Sequence, residues 1–242
     1  MQAAEISNSI TTTQTKADPY ANKQSLEFSF RQRRFEQIQS LIQATMDKKG
    51  SCEILDLGGT ETYWLIGEDF IQRNRNSIHF TLVNTENHEI RQRDLFSFVV
   101  ASATDPNLFA DRRFDLVHSN SVIEHVGTWA DMNMFAANTR RLGANYYVQT
   151  PNYWFPYEPH FRFPGFQYLP RRVRIALIQR YSLGFFRRIA NYAEAQDIID
   201  HHCLLSTRQM EMLFCDGKVT HEKWMGSRKS IIAIRDESLR QG

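Results

Sequence analysis

The sequence predicts an α/β fold in which a mixed β-sheet is covered by helices on both faces. Short apolar segments alternate with helix-patterned segments, which is typical of a parallel sheet with helices on each side. The first apolar segment ends in a pair of glycines, as buried strands of such sheets often do. Two β-rich segments near the end of the chain are separated by a short turn, and strands joined in this way pair antiparallel.

The individual elements follow from local spacing. Apolar residues at helical intervals predict a helix over residues 26–49, which Gly50 ends. Helices are also expected over residues 129–142 and 207–214. Short apolar runs between turn residues predict strands at residues 52–57, 78–83, 98–101, 114–118, 146–150, 218–224 and 230–235.

Length and composition favour one domain over residues 26–242, preceded by a disordered tail at residues 1–25. The tail has few large apolar side chains to offset its ordering entropy. A net charge of +2 disfavours nucleic acid as a partner. The cysteines form no CxxC pair and no apolar stretch reaches membrane-spanning length, so we expect a cytoplasmic protein.

Two segments carry the strongest functional signal. After the first strand the chain reads Asp56-Leu57-Gly58-Gly59-Thr60, where the glycines let backbone N–H groups approach a ligand. The fourth strand reads FDLVHSN over residues 114–120 and continues as SVIEH over residues 121–125. Together they resemble class I S-adenosylmethionine-dependent methyltransferases. The resemblance implies a Rossmann-like seven-stranded sheet of order 3-2-1-4-5-7-6 and S-adenosylmethionine as the cofactor.

The same resemblance implies which residues contact the cofactor. They are Asp56, Gly58 and Gly59 around the methionine part with Thr60 in place of the next glycine, Asn84 and Glu86 at the ribose, Ser102 and Ala103 beside the adenine, and Ser119 and Asn120 beneath the sulfonium. Asn84 and Ser102 stand where the family usually has acidic residues. These departures keep open a non-catalytic binding module on the same fold. A dehydrogenase is disfavoured because the chain has no G-x-G-x-x-G fingerprint.

Two Glu–His pairs are candidates for acid–base chemistry. Glu124 and His125 follow the fourth strand, where ubiquinone-biosynthesis O-methyltransferases have a metal-binding E-x-x-E-H. The first carboxylate is replaced by Ser121, so no metal is predicted, and a purely structural role stays open. Glu158 and His160 lie in a proline-rich stretch, where the carboxylate can orient an imidazole that accepts a hydroxyl proton. The alternative is a rigid loop with a surface histidine.

Residues 151–205 interrupt the strand–helix alternation and are predicted to form a cap over the crevice at the strand ends. Residues 162–188 contain seven arginines and no Asp or Glu. A helix after Pro170 is expected to align Val173, Leu177 and Tyr181 on one face. The cap suggests a small or lipid-linked, anionic acceptor and a peripheral contact with anionic membrane. We expect the acceptor to be methylated at oxygen. Solvated arginines are the alternative, and His201 and His202 are interpreted as structural.

Overall fold

The computed structural model describes residues 26–110 and 112–237, so the predicted tail at residues 1–25 lies outside the described residues. The helices are α1 (Leu26–Lys49), α2 (Glu68–Arg73), α3 (Trp129–Leu142), α4 (Arg171–Arg180), α5 (Tyr192–Asp200) and α6 (Thr207–Leu213). The strands are β1 (Cys52–Leu57), β2 (Ile78–Asn84), β3 (Phe96–Val100), β4 (Phe114–Asn120), β5 (Gly143–Pro151), β6 (Tyr157–Glu158), β7 (Phe163–Pro164), β8 (Lys218–Trp224) and β9 (Ser227–Arg235). Short 3₁₀ helices lie at Glu61–Gly67, Ile123–His125 and Phe166–Tyr168.

The main sheet has seven strands in the order β3-β2-β1-β4-β5-β9-β8. Its first five strands pair parallel, and β9 pairs antiparallel with both β5 and β8. This confirms the predicted mixed sheet and its order, since β8 and β9 are the sixth and seventh strands of the main sheet. The third strand, β3, begins two residues before its predicted start. The fifth strand, β5, begins three residues before its predicted start, because Gly143 follows α3 directly in an extended conformation.

Helices cover both faces of the sheet with separate apolar cores. On one face Phe35, Ile38 and Ile42 of α1 pack with Trp64 and Phe80. On the other face α3 and α6 bury a second set that includes Phe135, Leu142, Met210 and Phe214. Burying each such side chain contributes about 1.5–3 kcal/mol, so the two helix layers stabilise the strands and hold their carboxyl ends in place.

The segment between β5 and α6 forms the predicted insertion and has a core of its own. Phe161, Phe166, Ile175 and Ile199 are buried together there. On α4 the buried residues are Ile175 and Ile178. Of the expected apolar face, Val173 is 43% and Tyr181 51% exposed, whereas Leu177 is partly buried against the core of the insertion. Within residues 26–110 and 112–237, no helix combines the length and apolar character needed to cross a bilayer.

A buried arginine fastens α1 to the sheet. Arg34 is 8% exposed, and its Nε and Nη2 donate to the two carboxylate oxygens of Glu222 on β8 at 3.0 and 3.1 Å. Its Nη1 donates to Asn120 Oδ1 on β4 at 2.8 Å and to Gln149 Oε1 on β5 at 3.2 Å. One guanidinium therefore joins a helix to three strands through charge-assisted hydrogen bonds.

Replacing this arginine should destabilise the fold strongly. Arg34→Ala removes both guanidinium hydrogen bonds from the Glu222 carboxylate, which is 10% exposed, and the Lys229 Nζ at 3.8 Å replaces neither of them. Breaking a buried pair in this way costs about 3–5 kcal/mol. Urea denaturation followed by tryptophan fluorescence measures the change. The matched control is Arg112→Ala, since the Arg112–Glu53 pair is about half exposed and contributes little. Equal losses in the two variants would contradict the assignment.

Candidate active site

The candidate site lies where the carboxyl ends of β1 and β4 meet, the point at which strand order reverses. Ligands bind at such switch points in open α/β sheets. After β1, Gly58 has a φ of +76°, and its N–H donates to the Val83 carbonyl at 2.7 Å. A Cβ on Gly58 would lie 2.4 Å from a methyl group of Val122, and one on Gly59 would lie 1.9 Å from Asp56 Oδ2. The turn therefore requires glycine at both positions.

A cavity of about 100 Å³ opens on this glycine turn. The structure brings five of the predicted cofactor residues together here, along with two that sequence reasoning missed. The lining residues are Asp56, Gly58, Gly59, Thr60, Tyr63, His118 and Asn120. We call this space the glycine cavity.

The carboxylate of Asp56 is held beneath the turn by a buried network. Its Oδ1 lies 2.7 Å from His118 Nδ1, and its Oδ2 accepts from Trp64 Nε1 at 2.9 Å. His118 Nε2 in turn lies 3.2 Å from the Tyr63 hydroxyl. Both Asp56 oxygens thus have partners within the protein, and the residue supports the turn; its direct contact with a cofactor stays a prediction. His118 could have been predicted as a site residue, because it is a histidine in an otherwise largely apolar strand.

Asn84 lies beside the glycine turn. Its side-chain amide donates to the Gly58 and Gly59 carbonyls at 3.4 and 3.5 Å, the long end of the hydrogen-bond range, and its Oδ1 accepts from the Glu86 N–H. The side chain of Glu86 is exposed. Asn84 is therefore placed to support the turn from the end of β2.

The remaining predicted cofactor residues do not line the glycine cavity. Ser102 hydrogen-bonds the Thr104 hydroxyl at 2.7 Å in the turn after β3, next to the buried Ala103. Ser119 is fully buried, and its hydroxyl donates to the Leu57 carbonyl at 2.9 Å, so it ties β4 to β1 behind the site. Their contacts with a cofactor stay predictions.

A larger pocket of about 460 Å³ adjoins the glycine cavity, and Asn120 lines both. Its walls include residues from α1, β4, β5, the insertion and β9. The basic residues lining it are Arg31, Arg34, Arg162 and Lys229, and no Asp or Glu is among its described lining residues. We call it the acceptor pocket. Arg34 and Gln149 were missed by sequence reasoning, although a charged residue on the apolar stripe of α1 was a signal.

The Glu158–His160 pair has the geometry that the sequence predicts. His160 lines the acceptor pocket, and its Nδ1 lies 2.7 Å from Glu158 Oε1. Glu158 is buried, and its Oε2 accepts from the Phe161 N–H at 2.5 Å. The carboxylate is held by the backbone and so orients the imidazole.

The second pair, Glu124 and His125, lies against the first. Glu124 is fully buried, and burial raises the pKa of its carboxyl group. Its Oε2 accepts from the Thr150 hydroxyl at 2.9 Å, and its Oε1 lies 3.9 Å from His125 Nε2. The rings of His125 and His160 are 4.7 Å apart. The fold therefore joins two candidates that are separate in the sequence.

A third histidine completes this cluster. The ring of His202 lies 4.7 Å from that of His125 and 5.1 Å from that of His160. Burial and the neighbouring His160 lower the pKa of His125 to about 4. Burial, His125 and His160 likewise lower the pKa of His202 to about 4. Both rings are neutral at neutral pH. Sequence reasoning missed the place of His202, because only the path of the insertion brings it here.

Comparison with known proteins gives matches to part of the chain and to its fold. Residues 68–144 match a family model described as "Methyltransferase domain". Two uncharacterized proteins of Mycobacterium tuberculosis are each 34% identical over 67 residues, 28% of this chain and 23% of their own length. The chain therefore matches less than a quarter of the length of these relatives.

Among solved structures, the N-methyltransferase NodS of Bradyrhizobium japonicum WM9 with S-adenosyl-L-homocysteine is 11% identical, with a TM-score of 0.50. The match covers 91% of this chain and 92% of that one. A Burkholderia thailandensis 1,6-didemethyltoxoflavin-N1-methyltransferase is 12% identical, with a TM-score of 0.46, and the match covers 81% and 74% of the two chains. At these identities the likeness concerns the fold alone. The family match over residues 68–144 and the shared fold support a class I S-adenosylmethionine-dependent methyltransferase.

Proposed function

We propose that the protein transfers the methyl group of S-adenosylmethionine to an oxygen of a small anionic acceptor. The observation that carries the proposal is the junction at Asn120, which lines both the glycine cavity and the acceptor pocket. A methyl donor in the first space and an acceptor in the second would meet beside this residue. Methyl transfer depends mainly on such alignment, because the cofactor is already activated.

The glycine turn fits the methionine part of the cofactor. Gly58 and Gly59 have no Cβ, and the backbone can approach a ligand where a side chain would collide with Val122 or Asp56. Thr60 continues the wall, and Asn84 at the end of β2 is nearest to the expected ribose position. When bound, S-adenosylmethionine supplies a methyl group on a sulfonium centre. The residues of this chain hold and orient it.

The charge of the acceptor pocket favours an anionic substrate. Arg162 lines it from the insertion, Lys229 from β9 and Arg31 from α1. Glu222 pairs with the fourth basic residue, Arg34, and also lies 3.8 Å from Lys229 Nζ. A guanidinium recognises carboxylate or phosphate with two parallel hydrogen bonds, so we assign these groups to the acceptor.

The Glu158–His160 pair supports oxygen as the methylated atom. A hydroxyl must lose its proton as it attacks the methyl group, and an imidazole at the pocket wall can accept that proton. The buried Glu158 carboxylate, 2.7 Å from Nδ1, would stabilise the imidazolium that forms. His160 is the proton acceptor in this proposal, and Glu158 orients it.

The outward face of α4 favours a lipid-linked acceptor at an anionic membrane surface as a second candidate. Val173 and Tyr181 are exposed there beside Arg172 and Arg180. Exposed apolar side chains flanked by arginines suit a surface of anionic lipid headgroups. Arg171 is paired with Asp200 of α5, so the insertion is less uniformly basic in space than in sequence.

We place the reaction in the cytoplasm. The cysteines Cys52, Cys203 and Cys215 are all unpaired, which suits a reducing compartment. Cys52 is also buried, and burial raises the pKa of its thiol to about 12, so it resists oxidation.

Calorimetric titration should detect S-adenosylmethionine and S-adenosylhomocysteine binding at micromolar concentration. Gly58→Ala should weaken binding about tenfold or more, since the added methyl group strains the turn and meets Val122 at 2.4 Å. Gly226→Ala is the matched control, because Gly226 also has a positive φ, of +81°, but nothing lies within 4 Å of its added Cβ. No binding of either compound to the wild-type protein would refute the enzyme and favour the non-catalytic module.

His160→Gln should lower turnover about a hundredfold or more and leave cofactor affinity unchanged, because glutamine cannot accept the hydroxyl proton. The assay uses a hydroxylated carboxylate or phosphate acceptor selected by screening for S-adenosylhomocysteine release. His221→Gln is the control, as His221 lies on β8 and hydrogen-bonds Thr207. Unchanged turnover in the His160 variant would remove this residue as the proton acceptor.

Flotation with phosphatidylglycerol vesicles at low salt tests the membrane contact. Wild-type protein should float with the vesicles, and Val173→Asp should reduce the bound fraction severalfold, because a carboxylate is repelled by the anionic surface. Met212→Asp provides the control, since Met212 is 61% exposed on α6, outside the insertion. If wild-type protein stays unbound, the membrane contact is refuted.

A further inference from the structure

We propose that Glu124, His125 and His160 form a binding site for a divalent transition-metal ion of the zinc class. One ligand atom from each residue lies within 4.8 Å of those from the other two. Glu124 and His125 follow β4, and His160 comes from the insertion, so an ion held here would join the insertion to the sheet.

A buried carboxylate oxygen points into the cluster without a partner. Glu124 Oε1 is inaccessible to solvent and has no hydrogen-bond partner within the described part of the chain. His125 Nε2 lies 3.9 Å from this oxygen. An unsatisfied carboxylate is costly to bury, and a cation between this oxygen and the imidazoles would satisfy it.

The histidines are oriented as metal ligands are. His125 Nδ1 lies 3.3 Å from the His201 carbonyl, and because a carbonyl only accepts, the ring proton is on Nδ1. The Nε2 lone pair of His125 then faces Glu124. His160 Nδ1 is likewise held, by the Glu158 carboxylate at 2.7 Å. Metal-binding histidines usually have their second nitrogen bonded to a carbonyl or carboxylate in this way.

His202 supports the two imidazoles from the side. Its Nδ1 bonds the Ile198 carbonyl at 2.6 Å, and its ring packs edge-on against His125 and His160. We assign it as a positioning residue. The sequence predicts no metal because Ser121 replaces the first carboxylate of E-x-x-E-H, but here the third ligand is supplied by the insertion, from outside that motif.

The donor set selects the class of metal. Two imidazoles and one carboxylate suit zinc or a neighbouring transition metal, whereas magnesium and calcium prefer oxygen ligands alone. Three protein ligands leave a fourth position for water.

An ion at this site would also affect the reaction, and this step rests on the proposed function. Binding at Nε2 of His160 would occupy the lone pair that accepts the acceptor's proton. Zinc should therefore inhibit methyl transfer at the concentrations that fill the site. If zinc instead activates methyl transfer, His160 is not the proton acceptor. Measurement of zinc binding alone tests the metal site and does not test that role of His160.

Competition titration of chelator-treated, full-length protein with a chromophoric zinc chelator tests the site directly. We expect one zinc ion per chain, and cobalt in its place should give the visible absorption of a four-coordinate ion. Glu124→Gln and His125→Ala should each weaken zinc binding tenfold or more. S-adenosylmethionine titration of the same variants checks that they are folded, independently of metal.

His201→Ala is the matched control. His201 precedes His202 in the sequence, and its side chain is exposed. Its backbone carbonyl bonds His125, and alanine retains that carbonyl. Its zinc affinity should equal that of wild-type protein. Unchanged affinity in both ligand variants would overturn the site. So would an equal loss in His201→Ala, which would place the zinc on the exposed His201–Asp197 pair.

Discussion

The buried guanidinium of Arg34 is the interaction on which the rest of the site depends. It bonds side chains on β4, β5 and β8 from a position on α1, and α1, β4 and β5 each contribute to a wall of the crevice. Its hydrogen bond to Asn120 holds the residue that separates the glycine cavity from the acceptor pocket. A buried charge needs all of its partners, so these elements cannot shift independently.

The alternation of side chains along β4 explains how one strand serves both spaces. His118 and Asn120 point to the face covered by α1, where one meets Asp56 and the other meets Arg34. Ser119, between them, bonds the Leu57 carbonyl. The strand thus positions two polar networks on one face, and both are preformed by the packed core. Because the crevice is preformed, little free energy is needed to reorganise it when a ligand binds.

The insertion turns a local histidine pair into a three-dimensional cluster. Its two ends are joined to each other by the hydrogen bond from the Tyr153 N–H to the Leu205 carbonyl, and the Cys203 N–H donates to the Glu124 carbonyl just after β4. His160 and His202 are thereby brought against His125 at the end of β4. Burial lowers the pKa of His125 and of His202 and raises the pKa of the Glu124 carboxyl group in the same cluster.

The sequence alone determined the seven-stranded sheet, the helices α1, α3, α4 and α6 and the glycine turn, because strand and helix periodicity and the positive φ at Gly58 are local properties of the backbone. It did not predict α2 and α5. It also determined the Glu158–His160 pair, whose members are two residues apart. Only the tertiary structure decided the partners of Arg34 and Asp56, the outward face of α4, and the meeting of Glu124, His125, His160 and His202. The Arg34–Glu222 and Asp56–His118 contacts join residues 188 and 62 positions apart. All of these contacts depend on strand order or on the path of the insertion, and neither produces a repeating pattern of residues in the sequence.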